Sequence, residues 1–120
     1  MDNIKIGRKG EQIACDYLLT QGVEIIGRNL QTQYGEIDIL GKKEGCYLFT
    51  EVKTRQSMAF GFPEHAVNAK KQDHMANSAL AYIQEYLGLD VEWRIDVIAI
   101  NLSKNEIVSE IKWFKNAIAN

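Results

Sequence analysis

The sequence has few of the residues that mark several protein classes. It contains one proline and two cysteines among 120 residues, and no repeat, low-complexity tract or linker. Cys15 and Cys46 lack metal-type partners at a recognisable spacing and do not form a disulfide pattern, which favours buried thiols in a reducing compartment. No apolar run approaches the roughly 20 residues of a membrane span, and charged residues interrupt the start of the chain. We therefore expect a cytoplasmic protein with no membrane partner.

The remaining composition is that of an ordinary globular domain. Apolar residues make up 46% of the chain and charged residues 25%, so disorder is not expected. The length suits a single domain over residues 1–120. Because the net charge is only −2, any contact with nucleic acid requires a local basic surface.

Hydrophobic periodicity predicts an α/β fold with a mixed five-stranded sheet and the element order αβββαββ. Gly22 and Gly88 are expected to end the two helices, and Pro63 to begin the second. Leu80 of the second helix is expected to face the core, and residues 41–45 and 57–62 are expected to form loops. Gly7 and Gly10 are expected to let a neighbouring backbone approach the first helix. The predicted helices cover residues 3–21 and 63–87, and the predicted strands cover 23–30, 35–40, 46–55, 93–102 and 106–114.

Two apolar segments carry charges that suggest a metal site. Glu51 and Lys53 interrupt the run CYLFTEVKTR, and Asp38 interrupts GEIDIL. Residues i and i+2 of a strand project from the same face, so Glu51 and Lys53 point together, and Asp38 joins them if the two runs pair. Two carboxylates and an ammonium in a partly dry place are typical of metal-assisted phosphodiester cleavage.

A second triplet, Glu110-Ile111-Lys112, has the same spacing and its own upstream acid, Asp96. Its neighbours alternate between apolar and polar, as in an edge strand with one solvated side. The neighbours of Glu51 are apolar on both faces, which indicates an interior strand where charge is costly unless it is paired or bound to a cation. The first triplet is therefore the better candidate.

Each candidate also has a structural interpretation, and the residues alone leave both open. Glu51 and Lys53 also fit an ion pair or a strand end that reaches solvent, and Asp38 fits a turn cap. Glu36 shares the face of Asp38 and fits either a residue that supports the metal ligands or a solvated charge, and we expect the solvated charge. Glu11, at the edge of the apolar stripe of the first helix, fits a surface charge.

Other charged residues have simpler explanations. Asp96 is expected to contact Arg94, and His65 and His74 are expected to face solvent. A modest basic surface fits either a solvated face or phosphate contact. Its members are Arg55, Lys70, Lys71, Lys5, Arg8 and Lys9.

The ordered motifs GRKGEQIACDYL, RNLQTQYGEIDIL, FTEVKTR, FGFPEHAVNAKK and RIDVIAI span nearly the whole chain. Together they resemble the YraN-like family of small uncharacterised bacterial proteins, within the PD-(D/E)xK nuclease superfamily. The resemblance implies a restriction-endonuclease-like fold. The chain departs from the superfamily pattern at Ile37, which stands where the proline would precede Asp38.

The resemblance also implies roles for individual residues. Asp38 and Glu51 would bind Mg²⁺ or Mn²⁺, with the Val52 carbonyl as a further ligand, and Lys53 would assist catalysis. The chain is similar to archaeal Holliday-junction resolvases, which add a glutamate from the first helix, and Glu11 matches that position. The implied function is metal-dependent hydrolysis of DNA, including branched DNA. One alternative is a catalytically weak or silent module that binds nucleic acid or assembles a complex. Another is a subunit that works only inside a larger complex or a homodimer.

Overall fold

A computed structural model describes residues 3–56 and 69–118, with side chains over 4–56 and 72–118. It contains the predicted mixed α/β architecture, with the elements in the predicted order. The elements are α1 (Asn3–Thr20), β1 (Glu24–Thr32), β2 (Gly35–Lys43), β3 (Cys46–Gln56), α2 (Ala69–Tyr82) with a π-helical turn (Ile83–Leu87), β4 (Glu92–Leu102) and β5 (Val108–Phe114).

The five strands form one sheet in the order β1-β2-β3-β4-β5. All neighbours are antiparallel except β3 and β4, which are parallel. Because β3 lies at the centre and β5 at an edge, the prediction of an interior strand for the first triplet and an edge strand for the second is confirmed.

Alternation along β3 divides the core into two layers. Leu48 and Val52 pack with α1, including Ala14 and Leu18. Phe49 packs on the opposite face, where the core includes Ala79 and Ile83. The side chains of Glu51 and Lys53 share the Phe49 face, because they lie two and four residues further along the strand.

Gly10 sets the distance between α1 and the sheet. A Cβ at this position would lie 1.7 Å from Thr54 Oγ1, so only glycine permits the observed approach. A Cβ on Gly7 would meet nothing within 4 Å. A close approach is therefore found at Gly10 alone, and the neighbour is the Thr54 side chain rather than a backbone. It brings the next residue, Glu11, to the sheet.

Several details differ from the prediction. The β2–β3 connection is tighter than the predicted interval 41–45, since β2 extends to Lys43 and leaves Glu44 and Gly45 as the turn. Leu80, expected to face the core, is 39% exposed, because Ala79 and Ile83 occupy the buried stripe of α2. Pro63, His65 and the predicted loop 57–62 lie outside the described residues.

Asp96 forms a structural network, as expected. It is fully buried and accepts hydrogen bonds from Arg94 Nε (2.9 Å) and Nη2 (3.2 Å). Trp113 Nε1 and the Asn116 amide also donate to its carboxylate, each at 2.8 Å. These donors satisfy both oxygens. Asp96 therefore links β4 to β5 and to Asn116, which follows β5.

The two cysteines do not form a disulfide. Cys15 is buried and Cys46 is half-buried, and both are free thiols. Burial raises the pKa of each thiol. Among the described residues, no helix is long and apolar enough to cross a membrane.

Candidate metal centre

The candidate site lies where β2 separates from β3. The β1–β2 ladder continues to Thr32↔Gly35, whereas the β2–β3 ladder ends at Ile39↔Thr50. Beyond that pair the Val52 amide has no β2 backbone partner, and it donates a 2.8 Å hydrogen bond to Asp38 Oδ2 instead. The Asp38 side chain therefore spans the opening between the two strands.

The Val52 carbonyl faces the same opening. The N–H and C=O groups of one strand residue point to the same side of the strand. Since the Val52 N–H points at Asp38, its carbonyl oxygen lies on the Asp38 side and is a third oxygen donor at the opening.

Glu51 and Lys53 meet beside Asp38. Lys53 Nζ lies 3.2 Å from Glu51 Oε1, and their side chains are only 12% and 17% exposed, respectively. Limited exposure means that water screens this pair weakly. Glu51 therefore contacts both Lys53 and Asp38, although an ion pair between Glu51 and Lys53 is also what a purely structural role requires.

The environment disfavours a charge on Asp38. Burial is the largest effect that raises the pKa of Asp38, and the neighbouring Glu51 carboxylate adds to it by repulsion and by a side-chain hydrogen bond. The Val52 amide lowers this pKa, and Glu11 raises it further. The result is an Asp38 pKa of about 8, against an ordinary value of 3.8. A proton or a cation at this position would each relieve the repulsion between the acids.

Two further glutamates lie close to Asp38. One carboxylate oxygen from each of Glu11, Glu36 and Asp38 lies within 4.8 Å of the other two. Opposite ligands of an octahedral Mg²⁺ are about 4.2 Å apart, so this spacing is close to that of ligands sharing one ion. The donor set consists of hard oxygen atoms, which fits Mg²⁺ or Mn²⁺.

Glu36 is exposed, as expected, but it is not simply solvated. Its Oε1 accepts a hydrogen bond from Asn29 Nδ2 at 3.0 Å, and its Oε2 accepts one from Gln31 Nε2 at 2.7 Å. Asn29 Nδ2 also donates to Glu11 Oε1 at 2.9 Å. Neither amide was predicted. The available signal was their position in RNLQTQYGEIDIL, seven and five residues before Glu36.

The predicted basic residues occupy several places. Arg55 is half-buried and follows Lys53 on the same strand face. Arg8 is exposed on α1, and Lys9 Nζ pairs with Glu106 Oε1 at 3.3 Å near the β4–β5 turn. The side chains of Lys70 and Lys71 lie outside the described residues.

Comparison with known proteins identifies relatives of the chain but no activity. The family model described as "Uncharacterised protein family UPF0102" matches residues 10–100. A UPF0102 protein of Trichlorobacter lovleyi is 45% identical over 101 residues, covering 83% of this chain and 80% of the relative. Another, from Caldicellulosiruptor bescii, is 40% identical over 117 residues, covering 96% of this chain and 98% of the relative. The chain belongs to the uncharacterised protein family UPF0102, which is the YraN-like family predicted from the sequence, so that prediction is confirmed.

Proposed function

We propose that this protein is a divalent-metal-dependent nuclease that hydrolyses phosphodiester bonds in DNA. One observation carries the proposal: the Asp38 and Glu51 carboxyl groups converge in a largely buried opening of the sheet, where the pKa of Asp38 is raised to about 8. A protein that used these residues only for stability would gain nothing from crowding two acids together. A bound cation offsets that repulsion.

The donors at the opening are suited to holding the ion. Asp38 and Glu51 would bind Mg²⁺ or Mn²⁺, with the Val52 carbonyl and Glu11 as further ligands. When bound, the ion supplies a Lewis acid that lowers the pKa of water and offsets charge on the phosphoryl group. Because only the carboxylate form of Asp38 would bind the ion, its proton would be released to solvent on binding.

Lys53 supplies positive charge beside the reacting phosphate. Its ammonium group stands 3.2 Å from Glu51 and is mostly shielded from solvent, so its field is weakly screened. From this position it orients the attacking water or neutralises the developing oxyanion. It also limits the repulsion between Asp38 and Glu51 before substrate binds.

Substrate binding would use the basic residues predicted from the sequence. Arg55 is nearest in sequence to the site and extends the face that carries Glu51 and Lys53. Arg8, Lys9, Lys70 and Lys71 would contact phosphates further along the DNA. Because this surface is limited, a branched substrate that presents several phosphate backbones, or a homodimer that doubles the surface, suits the chain best.

The second candidate is a nucleic-acid-binding or complex-assembly module with little hydrolysis. It is favoured by the net charge of −2 and by the Lys9–Glu106 pair, which already uses one predicted phosphate contact. In this case the Glu51–Lys53 pair is structural. Metal binding separates the two candidates, because only the nuclease requires an ion at Asp38.

The test combines metal binding with DNA cleavage. Calorimetry with Mn²⁺ should show a site in the wild type that Asp38→Ala removes. Linear, single-stranded, flap and four-way DNA substrates incubated with Mn²⁺ should be cleaved by the wild type. Glu51→Ala and Lys53→Ala should each reduce cleavage at least about 100-fold, the usual scale for loss of a transition-state contact.

The edge strand provides a matched control. Glu110→Ala makes the same change in the other Glu-x-Lys triplet, where the side chain is exposed, and should leave cleavage unchanged. Cleavage that survives both Glu51→Ala and Lys53→Ala would indicate a contaminating nuclease. Absence of Mn²⁺ binding in the wild type would leave the binding module as the better description.

A further inference from the structure

Asn29 interrupts the regular pairing of β1 and β2 opposite Asp38. The ladder pairs Arg28 with Ile39 and Leu30 with Ile37, and it omits the intervening Asn29 and Asp38. Asn29 adopts a left-handed backbone conformation with φ of 50°. Outside glycine, such a conformation is uncommon and is best tolerated by asparagine and aspartate.

This interruption changes the direction of the side chains around it. Ile39 lies in the core beneath α1, whereas Ile37, two residues away, lies in the core on the α2 side. In a regular strand both would face the same way. The irregular step at Asn29 and Asp38 therefore lets Asp38 reach the opening while its neighbours fill both cores.

The Asn29 side chain joins acids from two different elements. Its Nδ2 donates to Glu11 Oε1 on α1 at 2.9 Å and to Glu36 Oε1 on β2 at 3.0 Å. The adjacent residue reinforces the first connection, because Arg28 Nη1 donates to Gln12 Oε1 at 2.9 Å. One amide thus fixes the separation of two carboxylates that would otherwise repel each other.

We infer that Asn29 is a positioning residue of the candidate metal centre, which holds Glu11 and Glu36 beside Asp38 before the ion binds. The inference rests on the proposed function, and it extends the site to a residue that does not itself carry charge. The lack of charge on the Asn29 side chain is important for this role. An arginine or lysine in this place would neutralise the acids and compete with the cation, whereas an amide directs them and leaves their charge available.

The left-handed backbone makes a clean test available. Asn29→Gly removes the amide but keeps the conformation, since glycine adopts positive φ without steric cost. Asn116 also adopts a left-handed backbone conformation, with φ of 51°. It contacts Asp96 through its backbone N–H, which glycine retains. Asn116→Gly is therefore a matched control that makes the same change away from the acids.

The experiment is Mn²⁺ titration of the full chain by calorimetry, for the wild type and the two variants. Asn29→Gly should weaken binding about 10-fold or more, as is usual when a partner of a metal ligand is lost, and Asn116→Gly should match the wild type. A double variant separates positioning from a general structural role. In a Glu11→Gln background, Asn29→Gly should cost much less affinity than it does alone.

The outcomes distinguish this inference from the proposed function. Failure of the wild type to bind Mn²⁺ would remove the metal centre itself, and with it the role of Asn29. Binding by the wild type with equal binding by Asn29→Gly would overturn the inference and leave the nuclease proposal standing. Losses that simply add in the double variant, together with a lower melting temperature of Asn29→Gly, would show that Asn29 only stabilises the fold.

Discussion

The substitution Asp38→Asn should stabilise the metal-free protein although it removes the ionisable group from a hydrogen-bonded position in the sheet. The Asp38 carboxyl has a folded-state pKa of about 8, raised chiefly by burial and by Glu51. The unfolded chain has the ordinary value near 3.8. The folded protein therefore binds the extra proton between these values, and its free energy of unfolding decreases as the pH rises from about 4 through about 8.

The size of the effect follows from this interval. At about 1.36 kcal/mol per pH unit, the raised pKa of Asp38 lowers the free energy of unfolding by at most about 4 kcal/mol at pH 7. Rearrangement of Glu51 and entry of water reduce the cost, so we expect Asp38→Asn to gain about 2 kcal/mol or more at that pH. The amide oxygen of asparagine still accepts the hydrogen bond from the Val52 N–H, which limits any loss. The gain should shrink towards pH 4 and vanish below the unfolded-state pKa, where the carboxyl is protonated in both states.

Urea unfolding in the presence of EDTA, followed by tryptophan fluorescence at pH 4.5, 7 and 8.5, measures this directly. Asp96→Asn is the matched comparison, because Asp96 is equally an aspartate in the sheet but is bonded to Arg94 through both oxygens. Losing that buried ion pair should cost about 3 kcal/mol. Destabilisation by Asp38→Asn at pH 7 and 8.5, of similar size to that of Asp96→Asn, would refute the electrostatic account of the site.

Two further results are expected. Mn²⁺ at about 100 times its dissociation constant should stabilise the wild type by about 2.7 kcal/mol in thermal unfolding and leave Asp38→Ala unchanged; equal shifts in both would place the ion elsewhere. Gly10→Ala should destabilise the protein by about 1–3 kcal/mol through its clash with Thr54, whereas Gly7→Ala should be neutral or stabilising by up to about 1 kcal/mol because space and helix propensity both favour alanine. Equal melting temperatures for the two glycine variants would contradict the close packing of α1.

Local patterns in the sequence predicted most of the fold. The apolar faces of β3 indicated a central strand, and the glycines after α1 and the π-helical turn marked the ends of the helical segments. The exposure of Leu80 was not predicted, because the helical period alone does not say which edge of an apolar stripe meets the sheet. Such edges are decided by the partner surface.

The candidate site was only partly predictable for a related reason. Glu51 and Lys53 are two residues apart, so strand geometry alone places them together. Asn29 and Glu36 lie in different strands. Their contact depends on the register of β1 with β2 and on the left-handed backbone conformation of Asn29. The register of a ladder is a property of two segments at once, and inspection of either segment does not reveal it.

The sequence by itself determined the periodicities that make two helices and five strands, together with the pairing of an acid and a lysine on one strand face. Tertiary structure alone decided that β2 leaves β3 at Ile39↔Thr50, which turns Asp38 towards the Val52 amide and crowds it against Glu51. The physical reason is that charge on a carboxyl depends on burial and on neighbours across the fold. Neither is encoded in the residues beside it.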